Sequence, residues 1–197
     1  MIKIGRYVSS ILIVFLLFGC EESPKLPYLG NSDVEYFEKD GVIYADTVYP
    51  KIPQFQFTNQ EGKPVTNSTY KGKIWIVEFF FTSCPTICPI MNKNLTRVFD
   101  QLGQNKQFQI FSYSVDYERD DLSTLRAYAA DHGADLVQWK FLRSPQDSIF
   151  NFGRGSLKLP VGPDEEEGNF LHSERFILVD WNRNIRGYYV GTDSASV

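Results

Sequence analysis

The chain reads as an α/β domain, a central sheet with helices on its faces. Three observations predict this. Segments with a strand period alternate with segments of helical period from residue 54 onward. Among them, Ile74 to Phe81 is an almost unbroken apolar run, interrupted only by Glu78, as expected of a central strand buried on both faces. The composition agrees, since 43% hydrophobic and 15% aromatic residues in a chain of 197 can fill one core.

Each element has its own signal. Gln54–Thr58 alternates Phe55 and Phe57 with polar residues, which predicts a half-buried strand, and Asn59-Gln60-Glu61-Gly62 predicts a turn. The apolar run through Phe81 is the first central strand. Thr82–Pro85 follows as a loop. A helix is predicted over Ile90 to about Leu102, with Met91, Leu95, Val98, Phe99 and Leu102 at three- and four-residue steps and Gly103 at its end. Phe108–Val115 alternates again and predicts a second strand. Asp120 or Asp121 can cap a helix running to about His132, with Gly133 beyond it. Trp139–Leu142 predicts a short third strand and Pro145–Phe152 a helix. Gly153–Asn169 reads as a loop carrying the acidic run Asp164–Glu167, expected to be a solvated face. Arg175–Asp180 and Ile185–Val190 read as two strands joined through Trp181-Asn182-Arg183-Asn184 as a hairpin. The order β-α-β-α-β-α-β-β suits a sheet covered by helices. Sites in such folds collect at the carboxyl edge of the strands, where the Thr82–Pro85 loop lies.

Two segments precede this domain. Lys3 and Arg6 flank the apolar run Val8–Phe18, too short to span a bilayer but suited to a signal peptide. Its end, Leu17-Phe18-Gly19-Cys20, resembles a bacterial lipobox, which implies a signal peptide over 1–19 and lipidation of Cys20. Residues 20–51 contain Pro24, Pro27, Gly30 and Gly41 without a sustained period and read as a lipid-anchored tether. The domain is then 52–197. The expected location is the cell envelope, on a membrane, with the domain facing the periplasm or the exterior. The formal net charge of −4 argues against nucleic acid as a partner.

The chemistry lies in two cysteines and a histidine. The chain has three cysteines, and once Cys20 is assigned to the lipid, the remaining pair is Cys84-Pro-Thr-Ile-Cys88. No disulfide framework accounts for them. If the turn closes helically, residues four apart share a face, and the helix N-terminus favours thiolate. Two thiolates plus an imidazole suit a soft or borderline metal, copper above all. The same thiols could instead cycle through a disulfide. A static cross-link over this five-residue loop would add only roughly 2 kcal/mol. His172, between the acidic loop and a strand, is the candidate third ligand; His132, at a helix end, is expected to be structural. A peroxide-reducing redoxin is disfavoured, because Thr82 stands too close to Cys84 for that family's Thr-x-x-Cys arrangement.

Phe81-Thr82-Ser83-Cys84-Pro85-Thr86-Ile87-Cys88-Pro89 resembles the CxxxCP signature of the Sco/SenC family, the copper-handling assembly factors of cytochrome c oxidase. Ser114-Val115-Asp116-Tyr117-Glu118-Arg119-Asp120 is similar to the family's SVDPERD stretch, with tyrosine in place of proline. Leu171-His172-Ser173 followed by Phe176–Asp180 is similar to its histidine-bearing segment, and Gly62–Val65 with Lys71–Lys73 to its N-terminal hairpin. The resemblance covers about 52 to 193. It implies a thioredoxin-like sheet flanked by helices, with an N-terminal β-hairpin and an insertion before the histidine. It implies copper, cuprous or cupric, bound by Cys84, Cys88 and His172, with Asp116 nearby as a supporting residue. The implied role is a metallochaperone for the dinuclear copper centre of cytochrome c oxidase, with the oxidase's copper-bearing subunit or another copper acceptor as partner. The alternative is a membrane-anchored thiol–disulfide oxidoreductase acting on the cysteines of that centre. The family also carries a closing helix that would start at Gly191, where this sequence has only seven residues left; either the sequence is cut short there or the helix is absent, and in its absence one sheet face is expected to be less covered.

Overall fold

A computed structural model of the chain describes residues 25–164 and 169–197; the expected signal peptide, Cys20 and Glu165–Glu167 lie outside them. In chain order, β1 (Asp33–Lys39) and β2 (Val42–Val48) form an antiparallel ribbon of their own. Then come β3 (Gln56–Asn59), β4 (Pro64–Thr66), β5 (Ile74–Phe80), α1 (Ile87–Leu102) and β6 (Phe108–Ser114). They are followed by α2 (Leu122–Asp131), β7 (Trp139–Arg143), α3 (Gln146–Asn151) and a π-helical turn over Phe152–Ser156. β8 (Gly162–Asp164) and β9 (Asn169–Leu171) pair as a small hairpin, and β10 (Arg175–Val179) and β11 (Ile185–Val190) end the chain's regular structure.

Seven strands form one sheet in the order β11-β10-β5-β6-β7-β3-β4. The central β5, β6 and β7 are parallel, and β10, β11, β3 and β4 extend the sheet antiparallel on both sides. A central sheet flanked by helices with an N-terminal hairpin, here β3–β4, is the class expected from the sequence. That hairpin turns tightly because the Asn59 side chain accepts from the backbone N–H groups of Glu61 and Lys63 at 3.1 and 2.8 Å, an Asx turn. The β10–β11 turn is built likewise, with Asp180 Oδ1 accepting from Asn182 and Asn184 N–H at 2.9 Å each.

Each face of the sheet is buried by different partners. Trp75, Phe111 and Tyr113 meet Phe55, Phe57 and Phe152 in an edge-to-face aromatic cluster, the geometry ring quadrupoles favour. On the opposite face Phe80 stacks on Tyr128 of α2 and packs edge-on against Phe141. Glu78 also lies on this second face, fully buried; its Oε1 accepts from Ser112 at 2.5 Å, and Oε2 has no partner among the described residues. Asp121 caps α2 by accepting from Thr124 N–H at 2.8 Å. His132 closes the same helix against the Tyr128 carbonyl at 2.8 Å, a structural role as expected.

Two differences from the sequence-based expectation have physical causes. The segment expected to be a tether without a sustained period carries the β1–β2 ribbon, turned by Asp40 and Gly41 at positive φ. Val34, Tyr36, Phe37, Val42, Ile43 and Tyr44 are all exposed. A ribbon with no buried face gives no clean alternation to read. The loop expected over Gly153–Asn169 contains the π turn and the β8–β9 hairpin, whose strands of three residues are too short to announce a period. Residues 191–197 fold back as turns, with Gly191 N–H donating to the Glu174 carbonyl at 2.7 Å and Asn94 of α1 donating to the Gly191 carbonyl at 2.8 Å. No helix among the described residues is long and apolar enough to cross a membrane.

Candidate metal centre

β5 delivers the cysteine loop to the carboxyl edge of the sheet. Cys84 N–H donates to the Phe81 carbonyl at 3.2 Å and turns the chain into α1, where Cys88 is the second residue. The helix begins three residues before the apolar periodicity does, because Pro89 needs no hydrogen-bond acceptor in the first turn. His172 arrives from the other side of the fold, in the short link between β9 and β10. The three side chains meet. His172 Nε2 lies 3.4 Å from Cys88 Sγ and 3.7 Å from Cys84 Sγ, and the three ligand atoms all lie within 4.8 Å of one another. Both cysteines are free thiols.

Their surroundings differ. Cys84, His172, Phe81 and Leu171 line a hollow of about 190 Å³ open to solvent, whereas Cys88 lies behind it, 1% exposed. Burial pushes the Cys84 thiol up, but hydrogen bonds from the Cys88 and Thr86 backbone and from their side chains outweigh it, and its pKa is lowered. This is the stabilisation a helix N-terminus gives a thiolate. Burial pushes the Cys88 thiol well above its ordinary range, and the neighbouring Cys84 adds to the rise. Burial also lowers the pKa of His172, against an opposing pull from the Ser173 and Phe79 backbone. The ring is therefore neutral near pH 7, with a lone pair to give. Its Nδ1 makes no well-formed hydrogen bond among the described residues. Phe81 packs edge-on against the imidazole at 5.5 Å and against Phe170 of β9 at 5.6 Å, fixing the ring plane.

Asp116, expected as a supporting residue, makes no hydrogen bond to the trio. It accepts from Arg119 N–H at 3.1 Å and forms an ion pair with the Arg119 guanidinium, which in turn lies over Phe170 at 5.8 Å. The carboxylate that grips the cysteine loop is Asp120, four residues on. It accepts from Thr82 N–H at 3.2 Å, from Thr82 Oγ1 at 2.5 Å and from Ser114 Oγ at 2.5 Å. Burial raises its pKa despite those bonds. In the sequence, Asp120 looked only like a possible helix cap. The signal that could have found it is Thr82, a hydroxyl in an apolar loop that requires a buried acceptor.

Comparison with known proteins agrees with this geometry. The sequence pattern of the SCO1/SenC family matches residues 46–197. A putative copper-binding protein of Stutzerimonas stutzeri is 30% identical over 142 residues, 70% of this chain and 68% of its own. A SCO1/SenC family lipoprotein from Bacillus anthracis superposes with a TM-score of 0.67 at 32% identity, covering 72% of this chain and 84% of that one. BsSco, described as a member of the Sco family of cytochrome c oxidase assembly proteins in which a disulfide switch was identified, superposes with a TM-score of 0.64 at 34% identity, covering 73% and 84%.

Proposed function

Because the chain belongs to the SCO1/SenC family, we propose that it is a copper carrier that holds Cu(I) or Cu(II) on Cys84, Cys88 and His172 and hands it to an acceptor. The observation that carries this reading is the convergence of the two sulfurs and Nε2, all on buried residues, within 4.8 Å of one another. Two thiolates favour the cuprous ion, and a neutral imidazole extends the set to the cupric one. For Nε2 to bind, the ring proton must sit on Nδ1. The acceptor is the copper-bearing subunit of cytochrome c oxidase or another copper protein of the envelope, with the domain held there by a lipid on Cys20.

Titration of the reduced protein with copper tests the assignment. One ion per chain is expected, with a thiolate-to-Cu(II) charge-transfer band that weakens in Cys84→Ser and Cys88→Ser and changes in His172→Ala. Failure to bind stoichiometrically, or binding indifferent to His172→Ala, rules the carrier out.

A second reading rests on the unequal thiols. With the Cys84 pKa lowered and that of Cys88 raised, Cys84 thiolate could attack a disulfide in a partner protein and release one partner thiol. Cys88 would then displace the second partner thiol, leaving a Cys84–Cys88 disulfide and a partner reduced by two electrons. This chemistry has no need of His172. Turnover on a protein disulfide that survives His172→Ala would favour it.

A further inference from the structure

Three tryptophans divide sharply by environment. Trp75 and Trp139 are 1% and 0% exposed, while Trp181, at the β10–β11 turn, is 55% exposed. Trp181 is a shared wall of two neighbouring hollows. One, about 640 Å³, is apolar, with Leu26, Tyr28, Ile74 and Leu178 around it. The other, about 280 Å³, presents Lys51, Lys71 and Arg183. Among the described residues the single carboxylate lining either hollow is Asp180, paired with Arg186 at 3.1 Å. In a chain of net charge −4 this pole is cationic. An exposed indole with aliphatic surface on one side and basic side chains on the other matches the two layers of a membrane interface.

The path of the chain leads to the same place. Residues 26–29 lie across this pole as a strap. Arg186 donates to the carbonyls of Leu26 and Pro27, its guanidinium sits 4.1 Å over the Tyr28 ring, and Leu29 N–H donates to the Ile185 carbonyl at 2.9 Å. Tyr28 stacks on Tyr49 at 4.8 Å. The five backbone steps from Cys20 to Lys25 can span at most about 18 Å. The Cys84–Cys88–His172 cluster is at the opposite end, because Trp75 pairs with Val179 near the pole and β5 runs about 20 Å from there to the cysteine loop.

We propose that this pole docks on an anionic phospholipid bilayer, with Trp181 at the interface, Lys51, Lys71 and Arg183 on the headgroups, and the metal trio facing away from the lipid. The β1–β2 ribbon exposes more apolar surface, but it carries Asp33, Glu35, Glu38, Asp40 and Asp46 against Lys39 alone, the wrong sign for such a surface. The inference borrows proximity from the reading of Cys20 as a lipid anchor and nothing from the copper chemistry.

The test uses the full chain reconstituted into vesicles of phosphatidylglycerol and phosphatidylcholine, or of phosphatidylcholine alone. Flotation reads anchoring. Fluorescence quenching by lipids brominated near the headgroup reads Trp181, since the other two indoles are buried. Flotation is expected in both vesicles, with quenching several-fold stronger in the anionic ones, suppressed by about 0.5 M salt and by Lys51→Glu with Lys71→Glu. Copper stoichiometry of that variant should be unchanged, which separates this surface from the carrier assignment. Trp181→Phe should remove the quenchable signal. Flotation without quenching, or quenching indifferent to lipid charge and to the charge-reversed variant, overturns the docking while leaving the anchor intact. Absence of flotation overturns both. Self-association abolished by Trp181→Ala would assign the pole to a second copy of the chain and likewise overturn it.

Discussion

Asp120 holds the cysteine loop in place without touching sulfur, so its loss should weaken both folding and ligation. Asp120→Ala leaves Thr82 N–H, Thr82 Oγ1 and Ser114 Oγ without their acceptor, so unfolding by urea should show a loss of about 2 kcal/mol. Copper affinity should fall as well, by about tenfold, as when supports behind metal ligands are removed. An Asp120→Ala protein of wild-type stability would show the loop to be held by something else. Glu78 gives a pH dependence with a definite sign. Burial raises its pKa from 4.5 to about 7 against the hydrogen bond from Ser112, so between those values the folded chain binds more protons than the unfolded one. Stability from this group is therefore greatest below pH 4.5 and falls as pH rises toward 7 and beyond. Glu78→Gln should stabilise the protein by up to about 3 kcal/mol at pH 8 and hardly at all at pH 4.5; equal effects at the two pH values would contradict this. At this scale the sequence was partly legible. Cys84, Cys88 and His172 stood out by rarity and spacing, whereas the hold of Asp120 on the cysteine loop depends on which way its carboxylate points in the turn after β6.

Elements were legible wherever burial imposed a period. β5, β6 and α2 match their expected positions and α1 differs only at its start, because each packs one or both faces against the same core. Asp121, one of the two anticipated caps, makes the hydrogen bond to Thr124 N–H, and its carboxyl is held at a pKa of about 2 by that bond first and by Ser123 next. Asp121→Ala should lower the melting temperature by roughly 2–5 °C at pH 7, an effect that disappears as pH falls through the range from 3.8 to 2 because the wild-type carboxylate is then protonated. Calorimetry at pH 7 and pH 2 would check both halves. The β1–β2 ribbon and the β8–β9 hairpin were not legible, for opposite reasons. The ribbon has apolar residues on both of its faces, and the β8–β9 hairpin is too short to have a pattern at all. The ribbon stays outside the core, and the hairpin gives it only Phe170.

For the molecule as a whole, this division predicts a graded opening. Amides of β5 and β6, at the centre of the seven-stranded sheet, should exchange only through global unfolding, while those of the ribbon should exchange orders of magnitude faster. Replacing Asp33–Val48 by a short Gly-Ser linker should therefore leave the melting temperature almost unchanged; a large drop would mean that the ribbon packs on the domain. The α/β class followed from the order of strand and helix signals, but the strand order and the meeting of residues 84 and 172 did not. Nothing in the intervening sequence shows that β10 runs back beside β5, which is what closes that gap. One more consequence follows from Cys88 lying behind Cys84 and His172. An approaching thiol can displace the two outer donors first, and the innermost sulfur is the last to let go. Release of an ion held as proposed would then pass through partly coordinated states with Cys88 the last donor left, and truncating Cys88 should weaken its retention.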